Sequence, residues 1–108
     1  MNKTMKEPIN FSIDQINYID DVLVKATASA IKACTKFPQP NYVLLKIAEE
    51  AGEVVKAGVH LSEGRDFTWS DLEGEVIQTI AMCIRLLLEG DQTMGLTPPS
   101  STKELNNE

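Results

Sequence analysis

Two helix-start signals, each followed by a long segment with helical apolar spacing, constrain this chain more than any other feature. Ser12 and Gln15 form an S-x-x-Q capping box, and Thr68 and Asp71 form a T-x-x-D box. In such a box, the first side chain and the side chain three residues later each accept a hydrogen bond from the other residue's backbone. The sequence therefore predicts one helix that begins directly after Ser12 and another that begins directly after Thr68.

The first two predicted helices are separated by a proline-rich turn. The apolar spacing after Ser12 continues to about Lys36, and Pro38 then prevents the helix from going further. Asn41 is a good N-cap residue for a second helix, which carries one broad apolar stripe. We expect this second helix to end between His60 and Gly64.

The third predicted helix, from about Trp69 to Glu89, is apolar in nearly every direction. Its apolar residues are Val76, Ile77, Ile80, Ala81, Met82, Cys83, Ile84, Leu86, Leu87 and Leu88. A helix that is apolar all round is buried on several sides, which a chain of 108 residues can hardly achieve alone. The pattern therefore predicts a homo-oligomer, either a dimer or a tetramer.

The predicted fold class is all-α, because no segment alternates apolar and polar residues as a strand does. We expect an antiparallel bundle of three main helices, with a short fourth element at Asp91 to Leu96 after Gly90, completed by oligomerisation. Residues 1–10 form a flexible lead-in, residues 11–96 a single all-α domain, and residues 97–108 a flexible tail in this prediction.

The charge balance narrows the classes of partner. Lys and Arg number 10 and Asp and Glu number 16, so the formal net charge at pH 7 is -6. An acidic chain without cation clusters is not expected to bind a nucleic acid polymer, since cations supply most of that affinity. No segment has the apolar run that a signal peptide or membrane span requires, and the two cysteines form no C-x-x-C motif. We expect a cytoplasmic protein with reduced cysteines and no membrane partner.

Acidic and basic side chains share one face of the second predicted helix, opposite its apolar stripe. They are Lys46, Glu49, Glu50, Glu53, Lys56 and His60. Taken alone, this pattern is typical of a solvated helix face with pairs three and four residues apart. Its three carboxylates nevertheless repel one another unless cations lie between them.

A carboxylate on the third helix is more informative. Glu75 lies on the line of an apolar seam, where a charged group is costly unless it is protonated, paired or bound to a metal. If the two helices run antiparallel, the E-x-x-E that starts at Glu50 faces the E-x-x-Q that starts at Glu75. Four oxygen-bearing side chains then converge, and hard oxygen ligands suit Mg²⁺ or Mn²⁺.

The acidic segment of the second helix resembles the signature of a known family. Residues Leu44 to Val54 read LLKIAEEAGEV, which is similar to the K-[LI]-x-E-E-x-x-E signature of the MazG-like, all-α nucleoside triphosphate pyrophosphohydrolases. In that family an E-x-x-D follows after a variable gap. Glu75 to Gln78 stand in this position, with Gln78 where the family has Asp. The resemblance covers residues 41 to 90, approximately.

The resemblance implies an enzyme that hydrolyses a (d)NTP, or a related nucleotide, to the monophosphate and pyrophosphate. The Mg²⁺ site that it implies, which Mn²⁺ also suits, consists of Glu50, Glu53, Glu75 and Gln78. Gln78 carries no negative charge and offers only a carbonyl oxygen to the metal. Glu49, which is rotated off the ligand direction, is expected to hold or deprotonate the attacking water. A small form of this kind implies nucleotide-pool cleaning or phage nucleotide metabolism.

Four further residues are candidates for substrate contact: Lys46, Lys56, Arg65 and Trp69. For each of them a structural interpretation stands beside the functional one. The two lysines meet phosphates or neutralise the neighbouring carboxylates. Arg65 reaches a triphosphate or is simply solvated, and Trp69 stacks on a base or packs at the helix start.

A second function class stays open at this point. It is a non-catalytic helical oligomer of the same fold that acts as a nucleotide-binding or protein-interaction module. Gln78 separates the two classes. Gln78→Asp leaves the activity of an enzyme similar, whereas it creates or greatly raises activity in a non-catalytic form.

Overall fold

Three helices make up most of the part of the chain that the computed structural model describes, residues 9–98. They are α1 (Ile13–Lys36), α2 (Val43–Ser62) and α3 (Trp69–Glu89), and a single 3-10 turn (Gln92–Met94) follows. These elements confirm the predicted all-α bundle of three helices with a short fourth element. Most of the predicted lead-in and tail, residues 1–8 and 99–108, lies outside the described residues.

Both predicted capping boxes are present. The backbone N–H of Gln15 donates to Ser12 Oγ at 3.1 Å, and the backbone N–H of Ser12 donates to Gln15 Oε1 at 2.8 Å. Thr68 and Asp71 make the equivalent pair of bonds at 3.1 Å and 2.8 Å. Because each box satisfies two backbone donors that a helix start leaves unpaired, α1 and α3 begin where the sequence predicts.

The N-cap prediction for α2 was wrong. The N-cap residue is Tyr42 rather than Asn41, and its side chain makes no capping hydrogen bond. Instead, the backbone N–H of Leu44 donates to Asp91 Oδ2 at 2.8 Å. A carboxylate from beyond α3 therefore satisfies a donor at the start of α2, and local sequence carries no signal for such a contact.

Both α1 and α2 pack against α3. Tyr18 near the start of α1 bonds to Glu73 near the start of α3, and Phe37 just beyond α1 bonds to Arg85 near the end of α3, so these two helices run in the same direction. α2 runs the opposite way, since Gly58 lies beside Leu72 near the start of α3. The centre of the core is formed by Ala30, Ala81 and Met82, with Ala33, Ile47 and Ile84 packed against them.

A buried polar cluster ties the helix ends together below this core. Arg85 is completely buried; its Nε donates to Glu89 Oε1 at 2.7 Å and its Nη2 donates to the carbonyl oxygen of Phe37. Gln39 Nε2 also donates to Glu89 Oε1, at 3.2 Å. Burial alone would raise the pKa of Glu89, but the hydrogen bonds from Arg85 and Gln39 hold it below its ordinary value.

The two cysteines are not joined to each other in the structure. Cys34 and Cys83 are both free thiols; Cys34 is half-buried and Cys83 is exposed. Burial raises the pKa of the Cys34 thiol. Across residues 9–98, no helix has the length and apolar character that crossing a membrane requires.

Candidate functional site

The antiparallel packing of α2 on α3 positions the candidate site. Val54 and Val76 line one shallow groove between the two helices, together with Ala51 and Thr79. The acidic segment of α2 therefore lies along the same stretch of α3 that carries Glu75. This arrangement follows from the apolar stripes of the two helices, which pack against each other.

Glu50 and Glu75 are the two half-buried carboxylates of the predicted metal set. The pKa of Glu50 is raised above its ordinary value, first by burial and then by the negative charge of Glu75. Glu49 and Glu53 raise it further, whereas Lys46 lowers it. The fold thus holds two like charges from adjacent helices in each other's field, which is unfavourable unless a proton or a cation intervenes.

The other members of the predicted metal set are placed differently. Glu53 and Gln78 are exposed, as is the proposed base Glu49. Gln78 Oε1 accepts a hydrogen bond from Ser29 Oγ of α1 at 3.3 Å. Among residues 9–98, no three Asp, Glu, His or Cys side chains are grouped closely enough to hold a metal ion. The set of four ligands stays a prediction.

The candidate cations differ in their surroundings. Lys46 is half-buried, with its Nζ 5.8 Å from the centroid of the Phe37 ring, a cation–π distance. Lys56 is exposed on α2. Arg65 Nε pairs with Glu63 Oε1 at 2.9 Å in the loop after α2, and both side chains remain largely exposed. Of these cations, Lys46 is the one whose charge lowers the pKa of Glu50.

Trp69 projects from the first turn of α3, and 73% of it is exposed. Within residues 9–98, Trp69 is therefore not buried at the start of α3. Trp69 instead borders an apolar groove of about 360 Å³ between α1 and α3, together with Tyr18, Leu72 and Glu73. An exposed indole beside an apolar groove is available to stack on a planar ligand.

Two polar features were not found from the sequence. Tyr18 Oη donates to Glu73 Oε2 at 2.5 Å across the α1–α3 contact, and this hydrogen bond raises the pKa of Tyr18. The second is the buried cluster around Arg85. Arg85 had a detectable signal, since it is the one charged residue in the run from Ile80 to Leu88. The Tyr18–Glu73 pair had none, because its members are 55 residues apart.

The geometry brings Glu50, Glu75 and Lys46 into one electrostatic group and leaves the remaining predicted site residues around it, on exposed positions of α2, α3 and the loop between them. Comparison of the chain with protein-family models, with curated proteins and with solved structures found no match.

Proposed function

We propose that this protein is a Mg²⁺-dependent nucleotide pyrophosphohydrolase that converts a (d)NTP and water to a (d)NMP and pyrophosphate. The observation that carries the proposal is the pair of half-buried carboxylates, Glu50 and Glu75, on adjacent antiparallel helices. A divalent cation would relieve the repulsion from Glu75, which, after burial, raises the pKa of Glu50. The E-E-x-x-E pattern of α2, which resembles the MazG-like signature, gives the proposal its reaction class.

The donor chemistry fits a hard divalent cation. Glu50 and Glu75 supply charged oxygens, and the proposal adds Glu53 from the same face of α2 and the amide oxygen of Gln78. When bound, Mg²⁺ or Mn²⁺ would neutralise phosphate charge and make a water molecule more acidic. A site with few protein ligands leaves room for phosphate oxygens, as is usual for Mg²⁺.

The chain's own residues then take the remaining roles. Glu49 accepts a proton from the water that attacks the α-phosphorus, the bond between that phosphorus and the bridging oxygen breaks, and pyrophosphate leaves. Lys46 and Lys56 flank the carboxylates on α2 and contact the negatively charged phosphates. Arg65 lies in the adjoining loop, where it would exchange Glu63 for phosphate, and the exposed Trp69 stacks on the base.

The partners and location that go with this proposal are those of a soluble enzyme. We propose a cytoplasmic homo-oligomer that acts on free nucleotides and binds neither a nucleic acid polymer nor a membrane. The exposed side chains of Val55 and Val59, at 65% and 45%, support an oligomer, because they leave apolar surface on α2 for a neighbouring subunit.

The second candidate is a non-catalytic helical oligomer of this fold that binds nucleotides or another protein. The observation that favours it is the hydrogen bond between Gln78 and Ser29, which engages the side chain that would otherwise complete the metal set. In this alternative Glu50 and Glu75 have no catalytic role.

A nucleotide panel with metal titration tests the proposal. We expect the full chain to release pyrophosphate from at least one (d)NTP with Mg²⁺ or Mn²⁺, and Glu50→Gln or Glu75→Gln to reduce this release about 100-fold or more. Asp14→Asn removes an exposed carboxylate from α1 and serves as the matched control, with activity unchanged. No release from any nucleotide with either metal contradicts the proposal and favours the non-catalytic alternative.

A further inference from the structure

The groove beside Trp69, which we call the Trp69 groove, is lined by all three helices. Tyr18 and Val22 come from α1, Val54 comes from α2, and Trp69 and Glu73 come from α3. Its volume of about 360 Å³ is within the range of small-molecule sites, which often lie between the helices of a bundle. Because Trp69 is largely exposed and Val22 is buried, the groove extends from the surface into the space between the helices.

Apolar side chains make up almost the whole lining of the Trp69 groove. Among residues 9–98, every residue that lines it is apolar apart from Tyr18 and Glu73, and none is a Lys or an Arg. Such a lining binds the apolar part of a ligand, because the contact removes apolar area of both from water. The exposed indole of Trp69 also offers a face on which an aromatic ring can stack. The lining therefore fits a ligand with an apolar, aromatic body.

One carboxylate oxygen of Glu73 is available to that ligand. Tyr18 Oη donates to Glu73 Oε2 at 2.5 Å, so the tyrosine fixes the orientation of the carboxylate. Within the described part of the chain, no hydrogen bond or ion pair engages Glu73 Oε1. Glu73 is half-buried, and a hydrogen bond from a charged donor is stronger in such a place than in water. A protonated amine supplies both the donor and the opposite charge.

The charges around the groove also favour a cation. The charge of Lys25 acts on Tyr18 and Glu73, but its Nζ is paired with Asp21 at 3.0 Å. An anionic ligand would therefore meet Glu73 without an unpaired cation to offset the repulsion. An ammonium group is attracted by the carboxylate and by the faces of the aromatic rings of Tyr18 and Trp69.

We propose that the Trp69 groove binds a small organic cation, an amine with an apolar, aromatic body, whose ammonium group donates to Glu73 Oε1. The body of the ligand lies against Leu72 and Val76, which line the groove, and its ring stacks on Trp69. The apolar contact supplies affinity, and the single carboxylate selects the charge of the ligand.

This site is separate from the candidate metal site. Glu73 and Glu75 are two residues apart on α3, which places them about 200° apart around the helix. The groove therefore opens on the side of α3 away from Glu75, and the proposal does not rest on the hydrolase function. Trp69 is shared with the proposed base contact, so amine binding is measured in the absence of nucleotide.

Intrinsic fluorescence tests the proposal, because Trp69 is the only tryptophan of the chain and lines the groove. Three probes share one phenylbutyl body and differ in charge: phenylbutylamine is a cation at neutral pH, phenylbutanol is uncharged and phenylbutyrate is an anion. We expect the full chain to bind the amine at least about tenfold more tightly than the alcohol. The butyrate should bind more weakly than the alcohol, because its charge repels Glu73.

A neutralising variant and a matched control complete this experiment. Glu73→Gln keeps the size of the side chain and an oxygen that accepts from Tyr18. It should weaken amine binding at least about tenfold and leave the affinity for the alcohol within about threefold of wild type. Asp14→Asn removes an exposed carboxylate of α1 that does not line the groove, and should leave binding of all three probes unchanged. Circular dichroism should show that both variants keep their helices.

Four results would each overturn the proposal. Equal affinity for the three probes would show that the groove does not select charge, and no response to any probe would show that it binds none of them. Loss of alcohol binding as well as amine binding in Glu73→Gln would show that the carboxylate only maintains the shape of the groove. A fluorescence spectrum of Trp69 that shifts with protein concentration in the absence of probe would show that a second copy of the chain covers the groove instead.

Discussion

Asp91 Oδ2 accepts a hydrogen bond from the backbone N–H of Leu44 at 2.8 Å, so the first turn of α2 is capped by a residue 47 positions further along the chain. Asp91 is completely buried and also accepts from the backbone N–H of Met94 at 3.2 Å and from the hydroxyl of Thr93. The bond from Thr93, followed by those from backbone N–H groups, holds the pKa of Asp91 below its ordinary value.

This arrangement predicts a specific loss of stability in acid. The folded state has the lower pKa for Asp91, so the contribution of Asp91 is complete above the unfolded value of 3.8 and is lost as the pH falls below it. Asp91→Ala should lower the melting temperature at pH 7 by about 5 °C. It should also reduce the further fall in melting temperature between about pH 4 and pH 2. Thermal unfolding followed by circular dichroism across this range measures both effects. If Asp91→Ala loses as much stability in acid as the wild type does, Asp91 is not the group responsible.

The burial of the Arg85 guanidinium predicts that its removal lowers the free energy of unfolding by a large amount. It also predicts that this loss is not additive with the effect of a substitution at Glu89. Arg85 Nη1 has no hydrogen-bond partner among residues 9–98, while Nε and Nη2 are both used. Arg85→Ala leaves Glu89 without its buried partner and should cost about 3 kcal/mol in urea unfolding. Adding Glu89→Gln to Arg85→Ala should recover part of this loss, because the unpaired charge is removed.

The control for this measurement is the exposed ion pair of the α2–α3 loop. Arg65→Ala breaks its contact with Glu63, in which the side chains are 61% and 48% exposed. We expect a change of less than about 1 kcal/mol, because solvent screens exposed pairs. Equal costs for the two arginine substitutions would refute the buried role of Arg85.

The raised pKa of Glu50 predicts that the fold becomes more stable when this carboxylate is neutralised. Its pKa is raised in the folded state, so the protonated form favours folding, and stability falls as the pH rises from 4.5 through the raised value. Glu50→Gln should therefore stabilise the fold at pH 7, by less than about 1 kcal/mol, because the group is only half-buried and solvent screens part of the repulsion. Mg²⁺ should raise the melting temperature of the wild type and have little effect on Glu50→Gln. Destabilisation at pH 7 would show that the carboxylate is already compensated.

Gln78→Asp distinguishes the two proposed functions. The substitution adds a negative charge beside the carboxylates and exchanges the amide that now accepts from Ser29. If the protein is a hydrolase, pyrophosphate release from the preferred (d)NTP should stay within about threefold of wild type, since one ligand of several changes. If it is the non-catalytic form, release should appear or rise by a factor of about ten or more only in the variant. Ser29→Ala provides the control, because it breaks the same contact without adding charge.

The helices of this protein were predictable because their signals are local. Each capping box joins residues three positions apart, and Gly90, which adopts a positive φ of 68°, follows the end of α3 as expected. The acidic face of α2 was predictable for the same reason, since residues three and four apart share one side of a helix. These features depend on backbone hydrogen bonds and helical spacing within a few residues.

The surroundings of individual side chains depended on contacts between distant parts of the chain. The sequence by itself determined three helices, the start signals of α1 and α3, and the line of carboxylates on α2. Only the tertiary structure decided that Asp91 caps α2, that Glu75 acts on Glu50, and that Trp69 is exposed. The reason is physical: burial and electrostatic environment are set by how helices pack, and packing brings together residues whose separation along the chain leaves no local pattern.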